Sequence, residues 1–180
     1  MVNNILLTVK TTVIQKVLAE VSTKVGGFYT REIRKGKTRT GFRIVSLNGE
    51  EGVLAHKHFK SRWRVGRYGV NVEDLDRVGV RALEKALGES DLIIMDEIGR
   101  MELFSERFRA TVLRCLDSPK NVLGTIQIRR TPFLDAIRSR DDVTLMEVTA
   151  GNRNLLSETI LEMFRDTGFF AREPQRPRDI

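Results

Sequence analysis

Residues 4–20 read NILLTVKTTVIQKVLAE, and the parsing of this stretch decides the fold. Asn4 to Val9 is an apolar run of the length of a strand buried on both faces, too short for a helix. Past Lys10, Thr11 and Thr12, the residues Val13, Ile14, Val17, Leu18 and Val21 recur at helical spacing and make one apolar stripe. The chain therefore turns from strand to helix within a few residues.

The pattern returns toward the C-terminus. DLIIMDE (91–97) is an apolar run ending in two acids, and Ser105 is placed to cap the helix ERFRATVLRCL (106–116), whose Phe108, Val112 and Leu116 are spaced four apart. NVLGTIQI (121–128) is the next strand, followed by Thr131 as cap and Pro132 at the first position of a helix. VTLMEVT (143–149) leads into NRNLLSETILEMF (152–164). From Gly27 the period changes to that of short strands, GFYTREIR, GFRIVSL and EGVLAH, with Asn48-Gly49 as a strong hairpin signal. Asn71 then opens a helix whose Leu75, Val78, Leu83 and Leu87 face inward and which ends by Gly88. Strands alternating with helices predict a three-layer α/β protein with a mostly parallel sheet, covered on both faces and carrying an inserted antiparallel β-meander. The expected organisation is a single domain over residues 1–170, with the meander at 27–70 and a frayed tail at 171–180.

At 180 residues the chain is long enough to bury a core without disulfides, and Cys115 is its only cysteine. No apolar run approaches the ~20 residues of a membrane span and no secretory signal pattern opens the chain, so the expected compartment is the cytoplasm. The formal charge of +7 suits an anionic partner. Its basic residues are interspersed with 24 acids, with local excess only in TREIRKGKTRTGFR, HKHFKSRWRVGR and the tail. Nucleic acid is thus a possible partner, against the plainer reading of a solvated basic surface.

In parallel sheets ligands sit at the carboxyl ends of the strands, and two of those ends carry chemistry. Lys10-Thr11-Thr12 offers an ammonium for β- and γ-phosphates, a hydroxyl for Mg²⁺ and helix N–H groups that favour an anion. Asp96 can hold a magnesium water, and Glu97 can orient or deprotonate an attacking water. Taken singly, each has a plainer reading, a helix cap for Thr11 and a polar strand end for Asp96-Glu97. Their order along the chain favours nucleotide hydrolysis, with both strands expected side by side.

GFYTREIR, GFRIVSLNG, RVGRYGVNV, DEIGRMELFS, LGTIQI and VTAGNRN together resemble the THEP1 family of nucleoside-triphosphatases, from about Asn4 to Phe164. The resemblance implies a P-loop fold of the additional-strand class and Mg²⁺-dependent hydrolysis of several nucleoside triphosphates. It implies catalytic roles for Lys10, the phosphate lysine, and for Glu97, the catalytic carboxylate, with Thr11 and Asp96 holding the metal. Thr8, Val9, Lys10, Thr11 and Thr12 would border the phosphates. Leu92, Ile93, Ile94, Met95, Asp96, Glu97, Ile98 and Gly99 would line the nucleotide site, and Asn152 and Arg153 resemble the family's Asn-Arg pair after the last strand, where they would contact a base or, on the plainer reading, cap the final helix.

The chain departs from the family at its loop. The family pattern is G-x-x-G-x-G-K-T, and here only Thr8-Val9 stand ahead of Lys10. A phosphate cradle needs several consecutive backbone N–H groups in a glycine-permitted nest, which this length does not supply. A triphosphatase, a loop-deleted pseudoenzyme or nucleotide- or nucleic-acid-binding module, and a nucleotide or nucleoside kinase remain as readings of the sequence.

Weaker candidates have equally plain alternatives. Arg100 reaches a γ-phosphate or Glu97, or is merely exposed; Thr125 senses the γ-phosphate or packs. His56 and His58 lack further ligands for a metal and read as exposed strand. Trp63, in a basic loop, is a possible stacking platform for a base.

Overall fold

The computed structural model describes residues 4–8 and 12–166. Val9, Lys10 and Thr11, and the predicted tail at 171–180, lie outside the described residues. β1 (Asn4–Thr8) is followed by α1 (Thr12–Glu20), whose Val13, Ile14 and Val17 are buried as the spacing predicts. β2 (Val25–Lys35), β3 (Thr38–Ser46), β4 (Glu51–His56), β5 (Arg64–Val65) and β6 (Tyr68–Val70) come next. The β3–β4 turn places Gly49 at φ +95°, a conformation that a side chain rarely tolerates.

After Asn71, α2 (Val72–Asp74), a π-helical stretch (Leu75–Val80) and α3 (Arg81–Glu89) run on one another. Asn71 accepts from the Asp74 N–H as the expected cap. β7 (Leu92–Ile98), α4 (Glu106–Leu116), β8 (Asn121–Ile126), α5 (Pro132–Arg138), β9 (Val143–Glu147) and α6 (Arg153–Asp166) complete the order. The Ser105 and Thr131 hydroxyls accept from Phe108 N and Leu134 N at 2.9 and 3.2 Å, so both predicted caps are formed.

One sheet runs β5-β6-β4-β3-β2-β7-β8-β1-β9 among the described residues. The segment from β2 to β9 is parallel. Alternate side chains of β7 enter opposite cores: Ile93 and Met95 meet the π-helical stretch, α4 and α5, whereas Leu92 and Ile94 meet α1 and α6. Period-two burial on both faces explains the unbroken apolar reading of LIIM.

One feature differs from the sequence reading. β1 and β7 are not side by side, because β8 lies between them. Strand order is fixed by packing across the sheet, which local periodicity does not record. The meander continues the main sheet: β2 pairs parallel with β7 over Val25–Tyr29 and antiparallel with β3 over Phe28–Lys35. Gly27, at φ +114°, makes the first pairing possible, since a Cβ there would stand 2.1 Å from the Ile94 carbonyl oxygen.

Candidate active site

β7 delivers Asp96 and Glu97 to the carboxyl end of the parallel strands. Asp96 is buried, and Thr125 of β8 donates its hydroxyl to Asp96 Oδ1 at 2.7 Å. Thr125 therefore does more than pack: it fixes the carboxylate in one rotamer. Glu97 is half-buried at the strand's mouth. Burial, and then the Asp96 charge, raise its carboxyl above the ordinary range.

A third carboxyl lies beneath this pair. The short 3₁₀ turn Glu102–Phe104 turns Glu102 inward, where it is buried and its Oε2 accepts from Gly99 N at 3.1 Å. Desolvation, and then the Glu97 charge, push Glu102 up to about 8. A Cβ on Gly99 would come within 2.8 Å of Glu97 Oε1 and 3.1 Å of Glu102 Oε2, so a glycine lets the chain turn between two carboxyls. Sequence reasoning passed over Glu102; its signal is a lone acid among Met101, Leu103 and Phe104 just beyond the acidic pair.

The remaining predicted residues separate into groups. Leu92, Ile93, Ile94, Met95 and Ile98 are fully buried core residues, so of the segment 92–99 only Asp96 and Glu97 border the open cleft. Thr8 ends β1 half-buried, and Thr12 begins α1 exposed. Lys10, Val9 and Thr11 lie outside the described residues. Asn152 is committed to its own turn: its Oδ1 accepts from Thr149 N at 2.7 Å and its Nδ2 donates to the Glu147 carbonyl at 2.9 Å. Arg153 is exposed at the start of α6. Trp63 stacks on Phe104 with centroids 5.1 Å apart and carries the Arg62 guanidinium at 4.7 Å, so its ring is engaged in packing.

Two cavities of about 430 and 470 Å³ adjoin the acids. They share Thr30, Val65, Glu97, Arg100 and Gln127, and so form one cleft spanning the ends of β2, β7 and β8. Gln127 holds its floor, accepting from Arg100 N at 3.2 Å and donating its own N–H to the Ile98 carbonyl at 3.1 Å.

An open, mostly parallel sheet covered by helices on both faces, with β8 between the Lys-Thr strand and the acidic strand, is the nucleoside-triphosphatase fold of the solved structures it matches. A family model described as NTPase matches residues 7–161, and the chain belongs to that nucleoside-triphosphatase family. It is 48% identical over 156 residues to the nucleoside-triphosphatase THEP1 of Thermotoga maritima, covering 87% of this chain and 89% of that one. The crystal structure of THEP1 from Aquifex aeolicus superposes with a TM-score of 0.81 at 36% identity, over 91% of this chain and 98% of the other. The solution structure of a human cancer-related nucleoside triphosphatase gives 0.77 at 31%, over 96% and 100%.

Proposed function

We propose that this chain hydrolyses nucleoside triphosphates to diphosphate and phosphate at the carboxyl end of β7. The observation that carries the reading is the acidic pair, Asp96 clamped by Thr125 and Glu97 facing the cleft with a raised carboxyl. Support comes also from relatives that bear the name nucleoside-triphosphatase over nearly the whole chain.

The residues fit Mg²⁺. Asp96 supplies a hard carboxylate oxygen, and Thr11, which lies outside the described residues, would add a hydroxyl. That sparse set suits an ion held by one carboxylate, a hydroxyl, waters and the substrate's phosphates. When bound, Mg²⁺ supplies charge neutralisation on the β- and γ-oxygens. Lys10 would pair with the same oxygens, and Thr125 would keep Asp96 aimed. Glu97 would orient a water toward the γ-phosphorus and take its proton, a task that a raised carboxyl performs better than an ordinary one.

One observation favours a second reading, a binding module without turnover. Only three residues, 9–11, join Thr8 to Thr12, too few for the family's cradle. Phosphate release by the full chain with MgATP and MgGTP separates the two. Release that stops on chelating the metal supports hydrolysis; nucleotide retention with no release supports the module. A reduced cytoplasm is the compartment we assign, on the single buried thiol of Cys115. Among the described residues no helix is long and apolar enough to cross a membrane.

A further inference from the structure

The cleft beside Glu97 is larger than hydrolysis requires. The cavity bordered by Asp96 and Thr125, about 430 Å³, has to take the metal and the γ-phosphoryl group; the second, about 470 Å³, lies past Glu97 on the meander side, and an attacking water needs only about 30 Å³ of it. Each is of the size that takes a small organic ligand, roughly 300–1,000 Å³.

Its position along the sheet says which step such a ligand would join. The strands run in the order β2-β7-β8-β1-β9. Lys10 and Thr11 follow β1, and the Asn152 turn follows β9. On the hydrolase reading, with the β-phosphate at Lys10 beyond β1, the γ-phosphorus would lie toward the acids at the end of β7. The cleft, over β2, β7 and β8, then opens beyond the γ-phosphorus, on the side opposite the leaving diphosphate. An in-line displacement draws its nucleophile from that side.

The walls carry recognition chemistry. Phe42 and Val65 present apolar surface on the meander side, and Ile128 stands 64% exposed at the mouth of the other cavity. One exposed apolar side chain is ordinary on a protein surface, but at this place it would be covered by a ring seated on the polar floor. Arg100 and Arg129 border the cleft, and among the described residues neither is held in an ion pair. Arg39, by contrast, is already engaged by Glu32 and the Tyr68 hydroxyl.

We propose that this cleft is the site of a second substrate, a ring-bearing alcohol of nucleoside size, whose hydroxyl oxygen takes the γ-phosphoryl group in place of water. The proposal rests on the hydrolase reading above. The acceptor oxygen forms the new bond to the γ-phosphorus while the bond from that phosphorus to the β,γ-bridging oxygen breaks, and the nucleoside diphosphate leaves with the electron pair. The acceptor's hydroxyl proton passes to Glu97 and then to solvent. Arg100 and Arg129 face the phosphoryl oxygens as the group moves into the cleft, and Ile128 and Phe42 cover the ring.

The test uses the full chain with MgATP and each of the four ribonucleosides. Phosphorylated nucleoside and free phosphate are read by mass spectrometry, and nucleoside binding without ATP is read by calorimetry. Expected are saturable binding of at least one nucleoside, weakened about tenfold or more by Ile128→Asp, and transferred phosphate whose ratio to free phosphate falls about tenfold in Arg129→Gln. Both positions are exposed, so neither change threatens folding. Free phosphate release with no nucleoside bound and none phosphorylated overturns the proposal and leaves the hydrolase reading standing. Nucleoside binding without any ATP turnover overturns the hydrolase reading and the transfer together.

Discussion

The Thr125 hydroxyl donates to Asp96 Oδ1 at 2.7 Å across the seam between β8 and β7, and both side chains are buried. In the proposed metal role, a carboxylate held this way would meet its ion without first selecting a rotamer. Thr125→Val keeps the shape and removes the donor, leaving a buried carboxylate oxygen poorer by one bond, at roughly 1–3 kcal/mol of stability. Turnover should fall about tenfold or more, with Thr125→Ser retaining most of it. Equal rates for the Val and Ser variants would show that the bond does not aim Asp96.

Glu102 makes stability depend on pH. Its folded carboxyl lies at about 8 against an ordinary 4.5, because it is buried beside Glu97. Between those values the folded chain keeps a proton that the unfolded chain has released, so rising pH favours unfolding. The loss begins near pH 4.5 and is complete above pH 8. Glu102→Gln, which can still accept from Gly99 N, should be more stable than the natural chain by roughly 4 kcal/mol at pH 8, with the difference gone at pH 4. Urea unfolding at the two pH values measures it. A constant difference would mean that Glu102 ionises as freely in the folded chain as outside it.

Cys115 lies on the inward face of α4, fully buried, and burial pushes its thiol up to about 12. A thiolate-selective reagent should therefore label the unfolded chain within minutes and leave the native chain untouched at pH 8. Rapid native labelling would contradict the packing of α4 on the sheet.

How much of this was legible in the sequence follows from what is local. The Ser105 and Thr131 caps, the Gly49 turn and the alternation of strands with helices depend on neighbours a few residues away, and all are formed. The insertion of β8 between β1 and β7 depends on packing between distant segments, and no local period encodes it. Asp96 and Glu97 were visible as acids ending an apolar run. Glu102 was not, because a carboxyl turned inward by a short 3₁₀ turn looks like any polar residue in a loop. The Thr125–Asp96 bond joins residues 29 positions apart, so a strand threonine gave no sign of its partner.

The join at residues 9–11 leads to a gain-of-function test. Placing a G-x-x-G-x-G segment directly before Lys10 restores several backbone donors to the β-phosphate, each charge-assisted. The affinity for MgATP should rise about 100-fold, on the order of 3 kcal/mol. An unchanged affinity would mean that the chain binds nucleotide without a cradle.

The most direct test of the account is the rate of phosphate release from saturating MgATP by the full chain and by Glu97→Gln, with nucleotide binding measured on both. The account predicts that release falls about 100-fold or more while the dissociation constant changes by less than about threefold, since Glu97 acts on the water and not on the nucleotide. Release at the same rate from the two proteins would contradict it and move the chemistry away from the end of β7.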